Sequence, residues 1–372
     1  MGSRKRIWGW YFFDWASQPY NTLLLTFVFG PYFAEIARGY YMGTGLDEEA
    51  AKAAAQAYWG WGLAIASLSI AVLAPILGAI ADGTGRRLIW VWTFSIFYVV
   101  GSACLWWVAP GGGDGMLFWA VCAFGIGFIG MEFATIFTNA LMPSLTQADD
   151  LGAISGSGFA FGYLGGLLAL IIMLLFFAEG ADSGLTLLGM EPLFGLDPEA
   201  REGTRFVGPF TAIWFVVFMV PFFLWVKEPK MDARPLHLGR AFASLRDLIR
   251  SLKFRRSLTA YLASSLFYRD ALNALYGFGG VYASGVLGWS IIQIGIFGIV
   301  GAVTAMVAAF VGGRLDRAYG PKPVIMLSIC VLIFVCFVIV GMTREGVWGI
   351  AMDPASSLPD QVVRRPAGAR AP

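Results

Sequence analysis

The sequence predicts an all-α membrane protein of about nine spans, arranged as an N-terminal six-helix bundle followed by a partial C-terminal bundle of three. Three observations predict it. Apolar residues make up 58% of the 372 and charged residues only 13%, with a mean hydropathy of +0.69, a balance foreign to soluble domains. The apolar residues fall in runs of roughly 18 to 28, each enough to cross about 30 Å of hydrocarbon as a helix. The runs are separated by short connections rich in Gly, Pro and charge, such as residues 110–115 and 321–323, as expected where helices break and water begins.

The chain opens with Arg4, Lys5 and Arg6 ahead of an apolar run. No small-residue cleavage site follows, so this start is read as a retained first helix rather than a signal peptide. The spans are expected at residues 8–34, 58–81, 88–108, 116–141, 154–177 and 206–226 in the first bundle, and at 258–282, 291–311 and 324–341 in the second. Pro19 sits within the first span and frees a backbone carbonyl, which suits a bent, cavity-lining helix and equally a plain structural kink.

The connections set the orientation. With the amino terminus cytoplasmic, the inner loops hold seventeen basic residues and the outer loops four, Arg38, Lys52, Arg201 and Arg205. Because basic loops stay on the cytoplasmic side, the bias places the amino terminus inside, as expected in a bacterial inner membrane. Residues 227–256 carry nine of those cations and form a cytoplasmic linker between the bundles. Phe242, Leu245, Ile249 and Leu252 recur there at steps of 3, 4 and 3, the pattern of an amphipathic helix on the inner membrane surface or of a solvated linker helix. Domain bounds follow as 1–226, 227–256, 257–341, and a non-membrane tail over 342–372.

That tail has four prolines and no apolar run, so a truncation or frameshift that removes three further spans is the simplest reading of it. The composition also excludes functions. A net charge of +2, with the cations clustered in a few loops rather than on one face, gives no nucleic-acid surface. The four cysteines lie in apolar runs without CxxC spacing, and the one histidine, His237, lies in the linker, so no metal site, cofactor or catalytic set is expected. The glycine-rich stretch Gly156 to Gly166 lies inside a span rather than after a strand, and reads as close helix packing.

Two loops repeat at matching positions in the two bundles. The first is Gly78-Ala-Ile-Ala-Asp82-Gly-Thr-Gly85-Arg86-Arg87 and the second is Gly312-Gly-Arg-Leu-Asp316-Arg317-Ala-Tyr-Gly320-Pro-Lys322. Both resemble the signature loop of the major facilitator superfamily, Gly-x-x-x-Asp-(Arg/Lys)-x-Gly-(Arg/Lys)-(Arg/Lys). The first departs by Gly83 where a base is usual, and the second has one extra residue before Gly320. The resemblance implies two bundles rocking about a central solute cavity. It gives Asp82, Arg86, Arg87, Asp316, Arg317 and Lys322 the role of locking one face closed, against the plainer role of capping helix ends.

A narrower resemblance rests on Phe13-Asp14-Trp15-Ala16-Ser17-Gln18-Pro19-Tyr20-Asn21-Thr22. It is similar to the Tyr-Asp-Trp-Ala-Asn-Ser-Ala-Tyr segment of the autophagy-related vacuole effluxer family, matching at Asp14, Trp15, Ala16 and Tyr20 and departing at Ser17, Gln18 and Pro19. Gly162-Tyr163-Leu164-Gly165-Gly166 also looks like that family. Amino-acid efflux is what this resemblance implies.

Four charges lie inside spans: Asp14, Glu132, Arg269 and Asp270. A charge at the bilayer centre costs at least about 2.5 to 3.5 kcal/mol and marks a pathway by default. Asp14 and Glu132 fall at matching depths, roughly 12 to 14 Å from the inner ends of their helices at about 1.5 Å per residue. In a facilitator, spans 1, 4, 7 and 10 line the cavity, so the resemblance brings the four charges to one pocket. Arg269 is then expected to receive a substrate carboxylate, and Asp14 or Glu132 its amine or a coupling proton; a structural salt bridge is the alternative. Gln18, Asn21 and Asn139 are candidate polar liners. The expected partners are the lipid bilayer, a small polar solute and a coupling proton, with homo-oligomer formation left open. A non-transporting remnant or membrane scaffold completed by a partner is the alternative function.

Overall fold

The computed structural model describes residues 2–145, 150–180, 183–228, 246–247, 249–285, 287, 291–343 and 346–351, with backbone alone at 2–3, 82–84, 273–274, 276–285, 291–296 and 351. Of the predicted amphipathic linker helix, Phe242, Leu245 and residue 248 lie outside the described residues, and so does the tail from 352 on.

Each predicted span corresponds to a helix. The first span is α1 (Gly2–Pro19), a π-helical stretch π1 (Tyr20–Phe27) and α2 (Phe29–Gly43). Then follow α3 (Glu48–Thr84), α4 (Arg87–Ala103), α5 (Asp114–Leu141), α6 (Leu151–Phe176), the single turn α7 (Glu202–Arg205) and α8 (Val207–Trp225). Three more complete the set: α9 (Arg256–Gly285), α10 (Ile291–Tyr319) and α11 (Pro321–Val340). Among the described residues, seven helices are long and apolar enough to cross a membrane alone. The first span misses that standard because α1 carries Arg4, Lys5, Arg6 and Asp14 and ends at the π turn.

Local chemistry extends the helices past their apolar cores. The α3 helix starts ten residues before the predicted span, because Asp47 caps it by accepting from the Ala50 N–H at 2.9 Å and Glu48 and Glu49 sit in its first turn. The two signature loops share a backbone device. Gly85 ends α3 at φ 65° and Gly320 separates α10 from α11 at φ 80°, both in the left-handed region that glycine enters without steric cost.

Contacts divide the chain into two compact units. One comprises Met1–Ser244 with Ala302–Arg317, and the other Leu245–Gly301 with Ala318–Pro372. The first unit has an aromatic core: Tyr98 stacks on Phe215 at 3.9 Å, Trp59 meets Phe124 at 4.5 Å, and Phe94 stacks on Phe133 at 4.6 Å. Glycines allow the closest approach of α4 and α5, where a Cβ on Gly101 would lie 2.3 Å from Gly127 N. In the second unit, residues 346–351 of the predicted tail form a small antiparallel hairpin, Gly346–Val347 with Ile350–Ala351, and Trp348 stacks on Phe337 at 4.6 Å.

Candidate functional site

Span 1 changes helical register at Pro19. The proline has no N–H to give the Trp15 carbonyl, and that oxygen instead accepts the indole N–H of Trp214 on α8 at 3.2 Å. After Pro19 the chain adopts i→i+5 spacing: the Thr26 hydroxyl donates to Asn21 O at 2.8 Å and Val28 N to Leu23 O at 3.0 Å. The freed carbonyl is thus used in packing within the first unit.

The glycines of α6 hold α1 close. Gly158, Gly162, Gly165 and Gly166 lie along one face, and each would clash or crowd if it carried a Cβ. At Gly158 it would lie 2.4 Å from Trp10 Cζ3 and 2.7 Å from Asp14 Oδ2, and at Gly162 3.1 Å from the Asp14 Cβ. At Gly165 it would lie 2.8 Å from Trp15 O, and at Gly166 2.8 Å from Gln18 Cγ. The stretch is therefore a helix-packing surface, as its small residues predicted. Asp14 rests on it, with Oδ2 buried and without a hydrogen-bond partner among the described residues.

On the other side, α1 and π1 meet α5. The Trp10 indole donates to Thr138 O at 3.1 Å, the Tyr20 hydroxyl to Phe124 O at 2.5 Å, and the Asn21 amide lies 4.0 Å from Met131 Sδ. From the shared level of Trp10 and Thr138, Asp14 is about 6 Å and Glu132 about 9 Å further in, at about 1.5 Å per residue. Among the described residues, no hydrogen bond or ion pair joins the two carboxylates. Glu132, Asn139 and Gln18 are half-buried. Arg269 and Asp270 are exposed on α9 of the second unit, where Arg269 reaches the Tyr268 hydroxyl.

The signature loops make contacts within the first unit. Arg317 pairs with Asp150 at 3.0 Å, and the Asp316 carboxylate lies over Gly152, where a Cβ would meet its Oδ2. One turn away, Gly313 of α10 faces Gly156 of α6, with 2.8 Å between the Gly313 Cα and a Cβ placed on Gly156. Arg87 donates from Nη1 to Ala140 O at 2.9 Å. Arg86 is exposed at the start of α4, Lys322 is exposed at the start of α11, and the Asp82 side chain lies outside the described residues.

Two clusters were missed by sequence reasoning. Glu228, just past α8, accepts from the main-chain N–H of Arg87 at 2.5 Å and of Leu88 at 3.2 Å, so its carboxyl group caps α4. Its signal was an acid directly after a span, at the start of a basic loop. At the opposite end, Glu179 is buried and pairs with Arg201 at 3.3 Å, and Arg201 pairs with Glu35 at 3.2 Å. The Thr204 N–H and hydroxyl donate to Glu179 at 3.0 and 2.7 Å. Burial pushes the Glu179 carboxyl up from its ordinary value, while the Thr204 hydroxyl and Arg201 pull it down. The signal here was an acid closing span 5 and an arginine before span 6 on the same side.

A first span that passes into a π-helix and packs on a glycine-rich fifth, with an Asp14 oxygen between them that has no partner among the described residues, accords with the family whose model matches residues 2–352, the vacuole effluxer Atg22-like family. The chain belongs to this family. It is also similar to the uncharacterized MFS-type transporter YxiO of Bacillus subtilis (strain 168), 26% identical over 360 residues, which cover 94% of this chain and 76% of that relative. The fold is that of the major facilitator superfamily, and the chain is an integral membrane protein of transporter type, as the signature loops and the segment around Asp14 predicted.

Proposed function

We propose that this Atg22-like chain is a secondary transporter that exports a small zwitterionic solute, an amino acid, by alternating access, with its amino terminus on the cytoplasmic side of a bacterial inner membrane. Asp14 or Glu132 takes the solute's amine or a coupling proton, and Arg269 receives its carboxylate. Gln18, Asn21 and Asn139 contribute polar contacts. Asp316 and Arg317, seated on the start of α6, hold the cytoplasmic face closed, together with Asp82, Arg86, Arg87 and Lys322.

The observation that carries this reading is Asp14, whose buried Oδ2 has no protein partner among the described residues. An intramembrane charge is retained at such cost when it serves a pathway. Support for export comes from the family's description as effluxers, and for the orientation from the basic inner loops. The test is uptake into proteoliposomes of the full chain under an imposed pH gradient, with a panel of labelled amino acids. Gradient-driven accumulation of at least one is expected; its absence across the panel, with the protein folded and inserted, would overturn the reading.

A further inference from the structure

Three cations open the chain, and the structure uses one of them internally. Arg6 donates from Nη2 to Ser144 Oγ at 3.3 Å and to Lys227 O at 3.2 Å, tying the start of α1 to the ends of α5 and α8. Arg4 and Lys5 are exposed and pair with no carboxylate among the described residues. They flank a groove of about 430 Å³ whose remaining wall is Trp8, Phe12 and Trp225.

The groove exists because α1 and α8 touch closely beside it. A Cβ on Gly9 would lie 3.0 Å from Val226 Cγ2 and 3.2 Å from Trp225 Cβ. Above that contact, Phe12 meets Trp225 edge-on at 6.3 Å and Trp8 meets Phe161 at 5.9 Å. Arg4, Trp8 and Phe12 follow one another at i, i+4 and i+8, so they form one stripe on α1. The stripe runs about 12 Å along the helix, from a cation at its start to a ring two turns deeper.

Its depth follows from the helix ends: α1 begins at Gly2 and α8 ends at Trp225, so the groove lies where both helices leave the hydrocarbon. Tryptophan prefers that level, with its ring in the acyl boundary and its N–H toward the headgroups. A water-soluble anion would meet the two cations and leave the aromatic wall uncovered. A molecule with a phosphodiester at one end and a hydrocarbon chain at the other meets both.

We propose that this groove is a binding site for one anionic phospholipid, its headgroup phosphate held by Arg4 and Lys5 and its acyl chain lying along Trp8, Phe12 and Trp225. The site is separate from the transport reading and does not depend on it.

The test is native mass spectrometry of the purified full chain in detergent, with phosphatidylglycerol and phosphatidylcholine in competition. Each cation near an anionic lipid contributes about a fivefold preference, so two give about thirtyfold for phosphatidylglycerol. R4Q/K5Q is expected to bring the preference within about threefold of unity, with helical content unchanged by circular dichroism. R255Q/R256Q removes two exposed cations elsewhere and is expected to keep the wild-type preference. Glycerol 1-phosphate, which has the phosphate and no chain, is expected to leave the bound lipid in place. The proposal is overturned if R4Q/K5Q keeps the preference, if R255Q/R256Q loses it equally, or if glycerol 1-phosphate displaces the lipid.

Discussion

Replacing Glu179 by alanine breaks the buried ion pair that links the end of α6 to α7 and α2. The Glu179 side chain is 0% exposed, and its partner Arg201 is 14% exposed. Removing one member of a buried pair costs about 3 to 5 kcal/mol, because the other charge stays desolvated. Arg201 retains Glu35 at 3.2 Å and the main-chain oxygen of residue 179 at 2.9 Å, so the low end, about 3 kcal/mol, is expected. Glutamine leaves an oxygen for the Thr204 donors and is expected to cost about 1 to 2 kcal/mol. Glu35 is 42% exposed, so Glu35→Ala is expected to cost under about 1 kcal/mol. The assay is equilibrium unfolding in mixed micelles by sodium dodecyl sulfate titration, followed by circular dichroism. A Glu179→Ala protein as stable as wild type, or one matched by Glu35→Ala, would refute the reasoning.

Three further outcomes follow from the packing. Gly158→Val is expected to lose about 1 to 3 kcal/mol by overpacking against Trp10 and Asp14, whereas Gly60→Ala, with nothing within 4 Å of its Cβ, is expected to lose nothing; the same titration separates them. Trp214→Phe keeps the ring and strands the Trp15 carbonyl, at a cost of about 1 to 3 kcal/mol, measured against Trp119→Phe, whose indole donates from a more exposed place. Glu228→Ala uncaps α4 at a cost of about 1 kcal/mol, and Glu228→Gln, which still accepts from the Arg87 and Leu88 N–H groups, is expected to recover part of it.

The spans were legible because burying twenty apolar residues in lipid overrides every other preference, and because α-helical rise fixes how many residues cross. Asp14 and Glu132 stood out for the complementary reason, that a charge in such a run is costly. That Pro19 frees a backbone carbonyl was legible. The π register after it was not, since it rests on the Thr26 bond to Asn21 O and on Trp214, which is 199 residues from the carbonyl it satisfies. Glu179 and Arg201 escaped notice because each sits in a connection where charge is ordinary, and only the fold buries them. The extension of span 1 to Gly43 was hidden for a similar reason: its added turns are amphipathic, with Ile36 and Ala37 buried and Arg38 and Gly39 turned outward.

The central claim is that Asp14 serves transport rather than packing alone. The direct measurement is solute counterflow in proteoliposomes loaded with the transported amino acid, comparing wild type, Asp14→Asn and Arg269→Gln at equal reconstituted amounts. Asparagine keeps the shape that rests on Gly158 and Gly162 and removes the charge. The account predicts that both variants remain folded and exchange solute at no more than about a tenth of the wild-type rate, the loss of one charge-assisted contact worth about 1.4 kcal/mol or more. Full exchange in both would contradict it.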